Sequence, residues 1–148
     1  MSDQPRNDRK YFTVEQANAM LPLVRAIVKD LADLSRDVID RRERLAHLLA
    51  GHNGQSTDVY SEELTQIEEE LEKDGRRLRE YVEELIKLGL EPKNGQEGLV
   101  DFPTLIDGRE AYLCWKLDEP EVLYWHDLDA GFAGRQPLTA VAGIDSAG

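Results

Sequence analysis

Two apolar heptad runs dominate this sequence and fix most of what it can fold into. With Val24 taken as position a, the a and d places of the first run are Ala17, Met20, Val24, Ile27, Leu31, Leu34, Val38, Arg41, Leu45 and Leu48. Only Arg41 interrupts the stripe. The second run reads Tyr60, Leu64, Ile67, Leu71, Asp74, Leu78, Tyr81, Leu85 and Leu88, interrupted only by Asp74. This period is helical and excludes strands. Thr13 and Gln16 have the spacing of a capping box at the first helix start. Pro22 removes an amide and crowds the preceding turn, so a short helix over 14–20 and then a break are expected, with the long helix running to about Leu49. Residues 51–58, GHNGQSTD, read as a loop. Asp58 or Ser61 is the expected cap of the second helix, Gly89 its end, and Pro92 forbids continuation.

Two long helices joined by a short loop pack as an antiparallel hairpin, here coiled-coil-like and roughly 40 Å long. Pairing Leu45 with Leu64 sets Val38 against Leu71 and Val24 against Leu85. In that register Arg41 falls near Ile67 and Asp74 near Leu34, so the two polar interruptions are not expected to meet.

The composition changes after Leu90. EPKNGQEG (91–98) reads as a connector, and six of the ten aromatics follow it. LVDFP (99–103), AYLCWKL (111–117) and EVLYWHD (121–127) have strand composition, the first ended by Pro103. An even loop between the last two sets Trp115 opposite Tyr124. An odd loop sets Trp115 opposite Trp125 and Cys114 opposite His126. The odd loop is preferred because it gathers Leu113, Trp115, Leu117, Leu123 and Trp125 on one face. The expected fold is therefore α+β: a long helical hairpin over 14–89 and a small C-terminal antiparallel sheet over 98–137. These form one domain (11–137) between a disordered leader (1–10) and a flexible tail (138–148).

Thirty acidic against eighteen basic residues give a net charge of −12, which repels phosphate backbones and anionic membranes. Nine of those acids and only three bases lie in the last fifty residues. No apolar run is long enough to span a membrane, and no secretory signal precedes the first heptad. One cysteine, Cys114, forms no internal disulfide, and the expected location is cytoplasmic.

The strings FTVEQANAMLPLV (12–24), DFP (101–103), GR (108–109), LCW (113–115), EP (119–120), WHD (125–127) and GFAGR (131–135) together resemble the bacterial family called domain of unknown function 2203. The resemblance spans roughly residues 11–137. It implies a bacterial protein and a shared fold, and no reaction.

Several residues could carry chemistry. His126, Asp127 and Asp129, with Glu119 or Cys114 added, have metal-ligating side chains. On a strand, however, His126 and Asp127 point to opposite faces. The competing reading has His126 bonded to a backbone carbonyl or packed against an aromatic, with both aspartates capping a turn. Cys114 and His126 form a thiolate–imidazole pair only under the odd loop. GFAGR with Arg135, joined by Arg109, suits an anion, or else simply makes turns. Trp115 and Trp125 line a ligand pocket or fill the space between sheet and helices. No catalytic set is complete. The expected function is a non-enzymatic homo-oligomeric interaction module, dimeric through its helices and without a cofactor. The alternative is a small-molecule or divalent-metal-binding protein, an enzyme among the options, with its site around WHDLD and GFAGR.

Overall fold

The computed structural model describes residues 9–51 and 58–140. Helix α1 (Val14–Ala50) and helix α2 (Asp58–Lys87) form an antiparallel pair. Five strands follow: β1 (Glu91–Asn94), β2 (Leu99–Ile106), β3 (Arg109–Lys116), β4 (Tyr124–Asp127) and β5 (Gln136–Pro137). They make one antiparallel meander in chain order. Fold class α+β therefore holds. The expected 51–58 loop falls mostly on residues 52–57, outside the described residues, as do leader residues 1–8 and tail residues 141–148.

The capping box forms as read: Thr13 Oγ1 accepts from the Gln16 amide at 3.0 Å, and Gln16 Oε1 accepts from the Thr13 amide at 3.0 Å. The expected break at Pro22 does not occur, and α1 runs through it. Proline costs a helix one amide bond, here to the Asn18 carbonyl. The buried residues on both sides, Ala17, Leu21, Val24 and Ile27, hold the helical path, and Pro22 itself faces solvent. Asp58 is the first described residue of α2 and Ser61 lies inside it, so neither acts as the expected flanking cap. At the other end Gly89 adopts φ +95°. Its amide bonds the Ile86 carbonyl at 2.9 Å, and the Leu90 amide bonds the Leu85 carbonyl at 3.1 Å, the paired bonds of a Schellman stop.

Helix α1 buries more than its heptad stripe. Leu21, Val28 and Ala32 lie beside it and are also buried. Val24, Ile27 and Leu31 join Leu21 and Val28 in one core with Leu85 of α2 and Val100, Phe102, Leu113 and Trp115 of the sheet. The sheet thus packs on the end of the hairpin where Pro22 and Leu85 sit, as expected. Loop 117–123 is tied to α1 there: Asn18 Oδ1 accepts from the Val122 amide at 2.7 Å, and Arg25 donates to the Pro120 carbonyl at 3.2 Å.

The strands differ from expectation in three ways. The connector 91–98 itself supplies β1. Strand β2 continues through Pro103 to a two-residue turn, Asp107–Gly108, with φ 53° and 78°. Pro103 is harmless because its carbonyl faces away from β3, accepting from the Phe12 amide at 2.7 Å. Its missing amide would have pointed the same way, outside the β2–β3 ladder. Third, β3 and β4 pair Cys114 with Tyr124, Leu113 with Trp125 and Tyr112 with His126. The face assignment of the odd loop holds for Leu113, Trp115, Leu117 and Trp125, but Leu123 is exposed while Val122 is buried in the core, and every pair slips by two residues, so Cys114 does not lie opposite His126. The ends of the domain are also more ordered than read: Arg9 pairs with Glu91 and Glu110, and Leu138 packs on the core.

The two heptad interruptions do meet. Arg41 forms ion pairs with Asp74 and, at 3.2 Å, with Glu70. A long guanidinium stem spans residues that backbone register alone keeps apart.

Two outcomes follow. Gly98 has φ +71°, and a Cβ there would lie 2.7 Å from Leu117 Cβ and 3.0 Å from Val28 Cγ1. Gly98→Ala is expected to cost about 2–3 kcal/mol in urea unfolding with an unchanged slope. The Asp74 side chain is 7% exposed and that of Arg41 34%. Arg41→Leu alone should cost about 2 kcal/mol by stranding the carboxylate, less than a fully buried pair because the arginine is partly in water. The double variant Arg41→Leu/Asp74→Leu should regain or exceed wild-type stability.

Candidate functional site

Strand alternation gives the sheet two unlike faces. Val100, Phe102, Leu113, Trp115 and Trp125 share the face toward the helices. Glu91, Asp101, Tyr112, Cys114, Tyr124 and His126 share the other. This outer face is polar and titratable, yet most of it is buried: Asp101 and His126 are each 2% exposed and Cys114 0%. Arg9, Tyr11, Leu128, Phe132 and Arg135 reach over it.

Each charge brought under this cover has partners, as burial demands. Arg9 pairs with Glu91 and donates to Tyr112 Oη at 2.8 Å, and Tyr112 donates to Glu91 at 2.9 Å. Tyr11 donates to Glu110 at 2.6 Å. Arg135 holds Glu119 through two bonds of 2.7 and 2.8 Å and donates to the Cys114 carbonyl at 3.2 Å. Its guanidinium lies 4.1 Å from the Tyr124 ring centre and 4.6 Å from that of Phe132. This clamp fastens the GFAGR stretch over the sheet.

Beneath the cover, β2, β3 and β4 bring Asp101, Cys114 and His126 together, with ligand-type atoms within 4.8 Å of one another. His126 Nε2 meets Asp101 Oδ2 at 3.0 Å, and Nδ1 meets the Asp127 carbonyl at 2.7 Å. Burial by itself would lower the His126 pKa. Hydrogen bonds with Asp101, Cys114 and the Asp127 carbonyl override it and raise the pKa to about 10. Both ring nitrogens therefore donate to oxygen. A thiol–imidazole–carboxylate relay needs Asp on one nitrogen and Cys on the other. With Asp101 on Nε2 and a carbonyl on Nδ1, that order does not arise. Asp101 Oδ1 is buried and has no hydrogen-bond partner. A cavity of about 180 Å³ opens beside the trio, lined by Asp101, His126, Lys93, Tyr112, Leu128 and Phe132 among others.

The other residues read from sequence scatter. Trp115 is core, its indole donating to the Glu119 carbonyl at 3.0 Å. Glu119 is spent on Arg135 and the Lys116 amide, not on a metal. Asp127 and Asp129 line a separate cleft of about 880 Å³ with Arg109 and Trp125. Asp127 points to the face opposite His126, so those two share no ion. Arg109 starts β3 while Arg135 binds near its far end, so the two arginines do not converge on one anion. Asp101 is the member of this cluster that the sequence reading leaves out. Its signal was position: in an antiparallel sheet it sits directly opposite Cys114.

Among these groups Glu91 gives a clean pH test. Burial alone would raise its pKa, but Lys93, Tyr112 and Arg9 outweigh that and hold it below the ordinary carboxylate value. Its stabilisation is present above the unfolded-state pKa near 4.5 and is lost as pH falls through the lower folded value. Thermal unfolding of Glu91→Gln should therefore fall less steeply than wild type between about pH 5 and pH 3.

No curated protein and no solved structure matches the chain. One family model does, over residues 10–138, and its description is an uncharacterized conserved protein, DUF2203. That match covers both helices, the whole sheet and the buried trio, and the chain belongs to this family.

Proposed function

We infer that this protein is an interaction module that associates with a second copy of itself through the tip of its helical hairpin. One observation carries the reading: the sheet covers only the proximal half of the hairpin. Among the described residues none after Val38 in α1, and none before Ile67 in α2, is buried. Leu45, Leu48, Tyr60 and Leu64 are half-buried, while Leu49 and Val59 are 52% and 73% exposed. Heptad seams of this kind are completed by further helices, most simply as a two-fold four-helix arrangement.

Charge supports the pairing of unlike helices. Residues 58–72 carry seven acids and no base, whereas residues 41–50 carry three arginines and one acid. Within one chain Arg44 already meets Glu63 at 2.8 Å. A two-fold partner that lays its α1 tip across α2 extends the same complementarity. A second reading, a small-ligand or metal site, is favoured by the buried trio and its unpartnered carboxylate oxygen.

Sedimentation velocity of the full chain at micromolar concentration is expected to show a dimer. Leu49→Glu combined with Val59→Glu should give a monomer with unchanged circular dichroism, because both side chains are exposed in the single chain. A monomeric wild type would overturn the reading.

A further inference from the structure

We propose that Asp101, Cys114 and His126 form a binding site for a transition-metal dication of the zinc type. The ligands are Cys114 Sγ, His126 Nε2 and a carboxylate oxygen of Asp101. This goes beyond self-association at the tip, and neither idea depends on the other.

The geometry of the trio leads to this assignment. The three ligand atoms lie within 4.8 Å of one another, a separation that a single four-coordinate ion spans with small rotamer adjustments. They stand on three neighbouring strands and one face, so the backbone ladder fixes their spacing. His126 Nδ1 is tied to the Asp127 carbonyl at 2.7 Å. That second bond is the one a metal-bound histidine ordinarily makes, because it orients the ring and reserves Nε2 for the ion. Asp101 Oδ1 is buried with no hydrogen-bond partner, which leaves a carboxylate oxygen whose lone pairs a bound cation would satisfy.

The neighbouring cations make their ion pairs with other acids, although Lys93 also feels Asp101 and Arg135 also feels Cys114. Arg9 is neutralised by Glu91 and Glu110, Lys93 by Glu91 and Arg135 by Glu119. The donor set decides the ion: one sulfur, one imidazole and one carboxylate suit zinc or cobalt, and exclude the all-oxygen preference of calcium and magnesium. Three protein ligands leave a fourth position for water or a small exogenous ligand, and the cavity of about 180 Å³ lies beside Asp101 and His126. Cys114 binds as thiolate and His126 through an unprotonated Nε2, so the ion takes the place of the protons those two atoms carried, which go to solvent.

Cobalt titration of the chelator-stripped full chain tests the site. Cys114 is the chain's single cysteine, so any thiolate-to-cobalt charge-transfer band reports on it alone. One equivalent of cobalt should produce the band, and zinc should displace it. Cys114→Ser, nearly isosteric, should abolish the band while keeping the wild-type circular dichroism. Asp101→Asn and His126→Ala should weaken zinc binding by roughly 10–100-fold or more. Zinc should raise the unfolding temperature of wild type and leave that of Cys114→Ser unmoved. Folded wild type that takes up cobalt without the band, or takes up none, overturns the proposal, as does a band that His126→Ala leaves unchanged.

Discussion

Strand β3 is buried on both faces, and the rest of the structure answers to that. Its odd-numbered residues Ala111, Leu113 and Trp115 press against the apolar layer and ask only for shape and hydrocarbon. Its even-numbered residues Glu110, Tyr112 and Cys114 are removed from water on the other side. There the demand is for partners, since a buried polar group without one costs more than its hydrogen bond returns. Arg9 and Tyr11 arrive from before α1 and Arg135 from after β4, so both ends of the domain fold back onto the same strand. What looks in sequence like a leader and a tail is in part the outer wall of the sheet.

The helical half was legible because its signals are local. Heptad spacing, the Thr13–Gln16 box and the Gly89 stop each act within a few residues, and each forms as its chemistry dictates. Pro22 was misleading because a local penalty of about 3 kcal/mol competes with burial of four neighbouring side chains, which no local rule counts. Asp107–Gly108 carried a strong turn signal, but Pro103 drew attention first. Its tolerance depends on which edge of the strand its nitrogen faces, and that is set by the register of β2 on β3. The Arg41–Asp74 pair escaped because register arithmetic places backbones, whereas an arginine reaches well beyond its own level.

The buried trio was half legible. DFP, LCW and WHD each contribute one member, and Cys114 and His126 were both singled out. The carboxylates nearest His126 in the chain are Asp127 and Asp129, and alternation sends the nearer one to the opposite face. A sheet gathers its side chains across strands, and Asp101 lies twenty-five residues from His126 in the chain yet 3.0 Å away in space. The two-residue slip of β4 against β3 makes Cys114 and His126 diagonal neighbours instead of a directly opposed pair.

The Glu119–Arg135 clamp gives the two sides of β3 different sensitivities. The helix-facing layer is held by exclusion of water from hydrocarbon, which dilute salt and mild acid barely touch. The opposite layer is held by ion pairs and by a guanidinium between two aromatic rings, partly screened by electrolyte and undone when carboxylates take up protons. One strand therefore joins a layer indifferent to electrolyte with a layer that responds to it.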